Sequence, residues 1–198
     1  LSAPQSAEAT FQVVLGNYLI VDLSDGPDAQ AYDVSHRMAL DDPIPDEYRT
    51  TKLVLRRIPA ASETFSMGSS ADETGREDDE TQHPVTLTDD FYMGVFEVTQ
   101  RQWELVMGES VAYHVGDGRP VETVSYRDIR GDADGSDWPP SRAVDDESFL
   151  GKLRRRTTLP FLDLPTEAQW EFACRAGTIA ALNSGQDLAD PQEDARLD

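Results

Sequence analysis

One cysteine, Cys174, stands alone in 198 residues. No disulfide can form within the chain, and the redox compartment is left undecided. No apolar run comes near the roughly 18 residues that a membrane-crossing helix needs. Bases are scarce: 17 lysines and arginines face 38 aspartates and glutamates, for a net charge of −21. Such a surface repels phosphate backbones and anionic lipid heads, so no nucleic acid partner and no membrane insertion are expected. Divalent cations are the partners this charge tolerates best. Aromatics make up 8% and apolar residues 38%, a polar balance but not that of a disordered chain. The length suffices for one medium domain with a real core. The chain starts at Leu1 with no visible leader, which reads as the interior of a longer product or a processed end. The compartment stays open, an extracytoplasmic one included.

What is present is a series of short elements with clear punctuation. Phe11-Gln12-Val13-Val14-Leu15 and Tyr18-Leu19-Ile20-Val21-Asp22-Leu23 are β-rich runs around Gly16-Asn17, a pattern for a hairpin. Residues 25–50, with Pro27, Pro43, Pro45 and many acids, read as a loop-rich lead-in and linker. Thr51 to Ile58 is the next strand and the expected first strand of the main domain. Thr64 to Met67 alternates like a strand entering Gly68-Ser69, and Val85 to Thr88 reads as another. Phe91 to Val98 is the most apolar strand. His83 has no other good ligand near it in sequence and reads as a loop or edge residue.

Two acidic stretches invite a cation. Residues 72–80 hold Asp72, Glu73, Glu77, Asp78, Asp79 and Glu80 against Arg76; a solvated loop is the favoured reading. Asp132-Ala133-Asp134-Gly135-Ser136-Asp137 resembles half of a calcium loop. Its glycine comes fourth instead of sixth and the twelfth position is Ala143, so surface Asx turns are favoured.

The helices write their own ends. Thr99 and Gln102 form a capping box before Trp103, Val106 and Met107. Ser125 starts a second helix, with Asp128 near its N-terminus and Gly131 after it. Ser148 opens a third, with Phe149, Leu150 and Leu153 inward and Arg154-Arg155-Arg156 complementing the dipole in the last turn. Thr166 and Gln169 box the fourth. Glu167 and Arg175 suit its dipole, and Gly177 can take the left-handed conformation that ends it. Trp170, Ala173, Cys174 and Gly177 make an apolar stripe, expected to face the core. Thr-x-x-Gln-Trp thus occurs twice, each time as a capped short helix pinned by a tryptophan.

Four blocks, in order, resemble the formylglycine-generating enzyme (sulfatase-modifying factor) family. They are Phe65-Ser66-Met67-Gly68-Ser69 with His83-Pro84-Val85; Phe91-Tyr92-Met93-Gly94 to Glu97-Val98-Thr99-Gln100; Pro120-Val121-Glu122-Thr123-Val124-Ser125-Tyr126; and Leu164-Pro165-Thr166-Glu167-Ala168-Gln169-Trp170-Glu171-Phe172-Ala173-Cys174-Arg175-Ala176-Gly177. The resemblance spans about residues 53–180, and its order and spacing carry it. It implies an α+β, C-type-lectin-like fold with short helices and long loops.

The family's best-known members oxidise a sulfatase cysteine to formylglycine, using copper held by a pair of cysteines. Those cysteines, with structural calcium ligands, belong to the C-terminal half of the family pattern. The resemblance therefore implies a lead-in over 1–50, then a sulfatase-modifying-factor-like domain over 51–198 whose C-terminal half is missing. Cys174 matches a cysteine outside the catalytic pair, and as a lone thiol on an apolar stripe it reads as core. No catalytic, cofactor-binding or metal-binding residue is assigned to this chain. Copper and calcium are expected only if the missing half is supplied. Two functions follow: part of an enzyme of this type, acting on a protein or peptide substrate, or a non-catalytic ligand- or protein-binding module. The oligomeric state is open.

Overall fold

A computed structural model describes residues 16–132 and 138–182. In chain order its elements are β1 (Tyr18–Asp22), β2 (Asp33–Arg37), a 3-10 turn (Asp46–Arg49), β3 (Lys52–Ile58), β4 (Thr64–Met67), β5 (His83–Thr86) and β6 (Phe91–Gly94). The helices follow: α1 (Gln100–Met107), α2 (Tyr126–Arg130), α3 (Phe149–Thr157) and α4 (Glu167–Arg175). The class is α+β.

Four antiparallel strands make one sheet in the order β2-β1-β3-β6. Side chains alternate across a strand, so Leu19, Val21, Leu53 and Leu55 share one face. They pack there with Trp103 and Val106 of α1 and Phe149, Leu150 and Leu153 of α3. Ile20 and Val54 point the other way, onto Tyr48, with half-buried Val95 and Phe96 beside them. Burial on both faces explains the unbroken apolar run Leu19-Ile20-Val21.

This order corrects the boundary at residue 51. Strand β1 lies between β2 and β3 and pairs with both. Tyr48 is 1% exposed. Residues 18–50 are therefore part of the sheet and its core rather than a lead-in and linker. The pairing of Tyr18–Asp22 with Lys52–Arg56 crosses a long loop, and no local signal announces it. The first strand of the expected hairpin, 11–15, lies outside the described residues.

The strand read over Phe91–Val98 is also shorter than expected. It ends at Gly94, where the chain folds back so tightly that a Cβ would sit 2.9 Å from the Phe96 carbonyl oxygen. Strands β4 and β5 form a separate hairpin, with Phe65 opposite Val85 and the Thr64 and Thr86 hydroxyls 2.7 Å apart.

Three helices carry complete capping boxes, at Thr99/Gln102, Ser125/Asp128 and Thr166/Gln169. Ser148 caps α3 by accepting from the Gly151 N–H. The arginines of the last turn of α3 do more than complement the dipole. Arg156 donates to the Tyr32 hydroxyl (3.0 Å), the Val106 carbonyl (2.9 Å) and the Pro27 carbonyl. It ties α1, α3 and the β1–β2 connection together.

At the edge of β3, Asp90 receives the backbone N–H groups of Ala60 and Ala61 on one oxygen and Arg57 on the other. The Ala61 and Ala60 N–H groups, then Arg57, hold its carboxyl below the usual range. A depressed folded-state pKa adds stability above the unfolded value, about 3.9, that is lost as pH falls towards the folded one. Asp90→Asn is therefore expected to flatten the acid limb of a stability-versus-pH curve. Urea melts between pH 5 and pH 3 check it; an unchanged slope would refute it.

Candidate functional site

The first, third and last family-like blocks and the loop between α1 and α2 build the features that bear on function. Helix α4 is clamped to the hairpin of β4 and β5. Glu171 Oε1 accepts from the Gly68 N–H (2.9 Å) and from Arg175 Nε (2.7 Å), and Arg175 Nη2 donates to the Gly68 carbonyl (2.9 Å). Phe172 meets Phe65 edge to face, with centroids 5.3 Å apart. Gly68 has φ +85°, and a Cβ there would lie 2.8 Å from the Glu80 carbonyl oxygen. Only glycine fits the clamp without a shift.

The clamp uses the face of Glu171, Phe172 and Arg175. This overturns the core reading of Trp170. Its side chain is 57% exposed, and α4 contains no buried residue. Cys174, one turn on from Trp170, is half-buried rather than core. Phe161 and Ile179, on either side of α4, are also exposed. The equivalent residue in α1 behaves differently: Trp103 is 3% exposed and stacks on Phe149 with centroids 4.9 Å apart.

A buried ionic node fixes where α4 begins. Arg130 is fully buried and reaches Asp163 through Nε (2.9 Å) and Nη2 (3.1 Å). Arg154 reaches the same carboxylate at 2.6 Å. Arg130 also lies 4.8 Å from the Trp138 ring centroid and donates to the Ala143 carbonyl. Burial lowers the Arg154 pKa, while Asp163 works against that. Sequence reasoning missed this node. Asp163 sits between Leu162 and Leu164 just before Pro165, and an acid flanked by apolar residues was its one signal.

The third feature is the connection from α1 to α2. Buried Gln100 donates to the carbonyls of His114 (2.9 Å) and Pro120 (3.2 Å) and accepts from the Gly116 N–H (2.9 Å). Thr123 takes a left-handed conformation, φ +62°, which is strained for a β-branched residue. Its hydroxyl donates to Glu122, and the other oxygen of Glu122 accepts from the His114 N–H (2.7 Å). The Thr123 hydroxyl and that N–H hold the Glu122 carboxyl below its usual range. An open cleft of about 330 Å³ lies alongside, lined by Arg49, Phe96, Glu97, Thr99, Gly118 and Pro120.

The donor set does not fit a copper–thiolate centre. The chain has one thiol, on α4, and three histidines. His36 is on β2, His83 on β5 and His114 on the α1–α2 loop. Among the described residues no three of His, Cys, Asp or Glu converge as metal ligands. His83 binds the Thr81 carbonyl through Nδ1. The acidic loop 72–80 is exposed for most of its length. The half calcium loop at 132–137 lies outside the described residues beyond Asp132. No described helix is long and apolar enough to cross a membrane.

An α+β domain of short, boxed helices around a small antiparallel sheet, with its sequence blocks in this order, is one class of protein. The sulfatase-modifying factor enzyme 1-like domain matches residues 56–197, and the chain belongs to that family. It is also similar to a protein named chaperone protein LppX from Paenibacillus barcinonensis, 32% identical over 108 residues. That alignment covers 47% of this chain and 38% of the relative. The chain thus spans well under half the length of the curated relative it matches. No solved structure matches it.

Proposed function

We propose that these residues form a C-type-lectin-like scaffold of the sulfatase-modifying-factor type. The scaffold holds a protein or peptide substrate and does not by itself oxidise a cysteine to formylglycine. The observation that carries this reading is the thiol count: Cys174 is the one cysteine of the chain. A soft copper site needs thiolates that converge, and one thiolate cannot supply a pair. The short helices, long connections and family membership support the fold. The exposed aromatic side chains Trp170 and Tyr113 support the binding role, since Trp and Tyr are enriched at interfaces over the rest of a protein surface.

The test is direct. The full chain is incubated with copper ions and a cysteine-containing peptide from a sulfatase, and the peptide is read by mass spectrometry. No formylglycine is expected. Turnover of the peptide would end the proposal. A second reading is a stand-alone binding module with no enzymatic parent, and the name of the relative, a chaperone protein, favours it. The gene beyond Asp198 separates the two. A downstream cysteine pair supports the enzyme, and a downstream half without one supports the module.

A further inference from the structure

We infer that the tip of the α1–α2 loop, Tyr113-His114-Val115, is the surface that grips the partner, and that the partner is a polypeptide segment carrying lysine or arginine beside an apolar side chain. The inference rests on the reading of the chain as a polypeptide-binding scaffold and names the surface and the chemistry.

The tip combines two properties that rarely coincide. Its side chains are bare: Tyr113 is 83% and Val115 77% exposed. Its backbone is held from every side. Gln100, itself 5% exposed, bonds to His114, Gly116 and Pro120. The Gln100 N–H donates to the Arg119 carbonyl and the Arg101 N–H to the Asp117 carbonyl. Glu122 closes the loop from the other side through the His114 N–H. A floppy loop would make exposed apolar side chains unremarkable. Here the ordering has been done before any partner arrives, so binding loses little chain entropy. Tyrosine is one of the side chains, with tryptophan and arginine, that are enriched where such contacts are anchored. The left-handed Thr123 belongs to the same segment, and its hydroxyl donates to Glu122.

Charge then selects the partner. Glu109, Asp117 and Glu122 stand against Arg119 in this stretch, on a chain of net charge −21. Arg119 is folded over Gly116, with Cδ 2.9 Å from where a Cβ there would be. The Glu122 carboxylate accepts from the backbone N–H of His114, the residue that follows Tyr113 in the chain. A cation laid on the Tyr113 ring gains from the π face and from the negative charge of the stretch together. An acidic segment would be repelled by both the stretch and the chain as a whole.

Two fluorescein-labelled peptides test this with the full chain. One interleaves lysine and arginine with leucine; the other has glutamate at every basic position. Anisotropy is read at about 0.15 M salt, where bulk attraction over distance is screened. The basic peptide is expected to bind and the acidic one not to. Tyr113→Ser with Val115→Ser removes no charge and is expected to weaken binding at least about tenfold. Asp78→Asn with Asp79→Asn, in the acidic loop 72–80, removes two charges elsewhere and is expected to change it less than about twofold. Equal melting points show that all variants are folded. Equal binding by the Tyr113/Val115 variant, or an equal loss in the Asp78/Asp79 variant, would overturn the inference and leave the scaffold reading standing. Binding of neither peptide would overturn it too. The scaffold reading fails separately, on formylglycine formation.

Discussion

Asp163→Asn is expected to destabilise the protein by about 3–5 kcal/mol, the cost of leaving a buried charge without its partner. The carboxylate is 7% exposed and serves two guanidinium groups at once. Arg130 is 0% and Arg154 12% exposed. One oxygen accepts from Arg130 Nε and the Leu164 N–H; the other accepts from Arg130 Nη2 and Arg154 Nη2. Asparagine keeps the shape but loses the charge, and it turns one acceptor into a donor that faces a donor. Carbonyls of Ala143, Leu162 and Arg142 remain as partners of the two arginines. They satisfy hydrogen bonds but do not neutralise charge. Native domains are stable by about 5–15 kcal/mol, so the loss would be a large share of the total. Urea denaturation reads it as a fall in the midpoint with an unchanged slope. The exposed pair Arg37–Asp41, with side chains 48% and 55% exposed, provides the control. Arg37→Ala there is expected to cost about 0–1 kcal/mol. An Asp163→Asn loss as small as the control would show that water reaches the node.

The node also shows what could and could not be read from the sequence. Signals that act within four residues were legible. The boxes at Thr99/Gln102 and Thr166/Gln169, the cap at Ser148 and the inward face of Phe149, Leu150 and Leu153 are all where the pattern puts them. So were the family-like blocks, because they are strings of local features. Features made by distant partners were not legible. Arg130 and Asp163 are 33 residues apart; Arg130 alone looks like a charge bound for solvent, and the apolar neighbours of Asp163 do not say which base it meets. Strand β1 reads as half of a local hairpin with 11–15, yet it pairs with β3, a choice made across the 3-10 turn at Asp46–Arg49. The Gln100 cradle under Tyr113 is likewise invisible in sequence, since glutamine beside a capping threonine reads as an ordinary first-turn residue.

The same limit explains why two copies of one motif differ in worth. Trp103→Ala is expected to cost about 3–5 kcal/mol, the range for deleting a large buried aromatic. Trp170→Ala is expected to stay within about 0.5 kcal/mol, as for a surface substitution. Both residues follow a threonine cap and a boxing glutamine, and both helices are intact in the structure. The difference lies in what stands opposite. Trp103 is sandwiched in the main core and lies parallel to Phe149, at an interplanar angle of 2°. Its removal opens a cavity that α3 and β1 cannot fill without moving. Trp170 points away from the face that Glu171, Phe172 and Arg175 use against β4, so its removal opens nothing among the described residues. Trp103→Phe sharpens the comparison. The indole N–H of Trp103 is buried without an acceptor, so phenylalanine removes a donor that stabilises nothing and keeps a ring against Phe149. It is expected to cost less than alanine. Urea midpoints of the three variants give the order, and acrylamide quenching gives an independent check, since the signal lost in Trp170→Ala should be the accessible one. Equal losses from the two alanine variants would mean that Trp170 is buried in solution, and the face of α4 described here would then be covered.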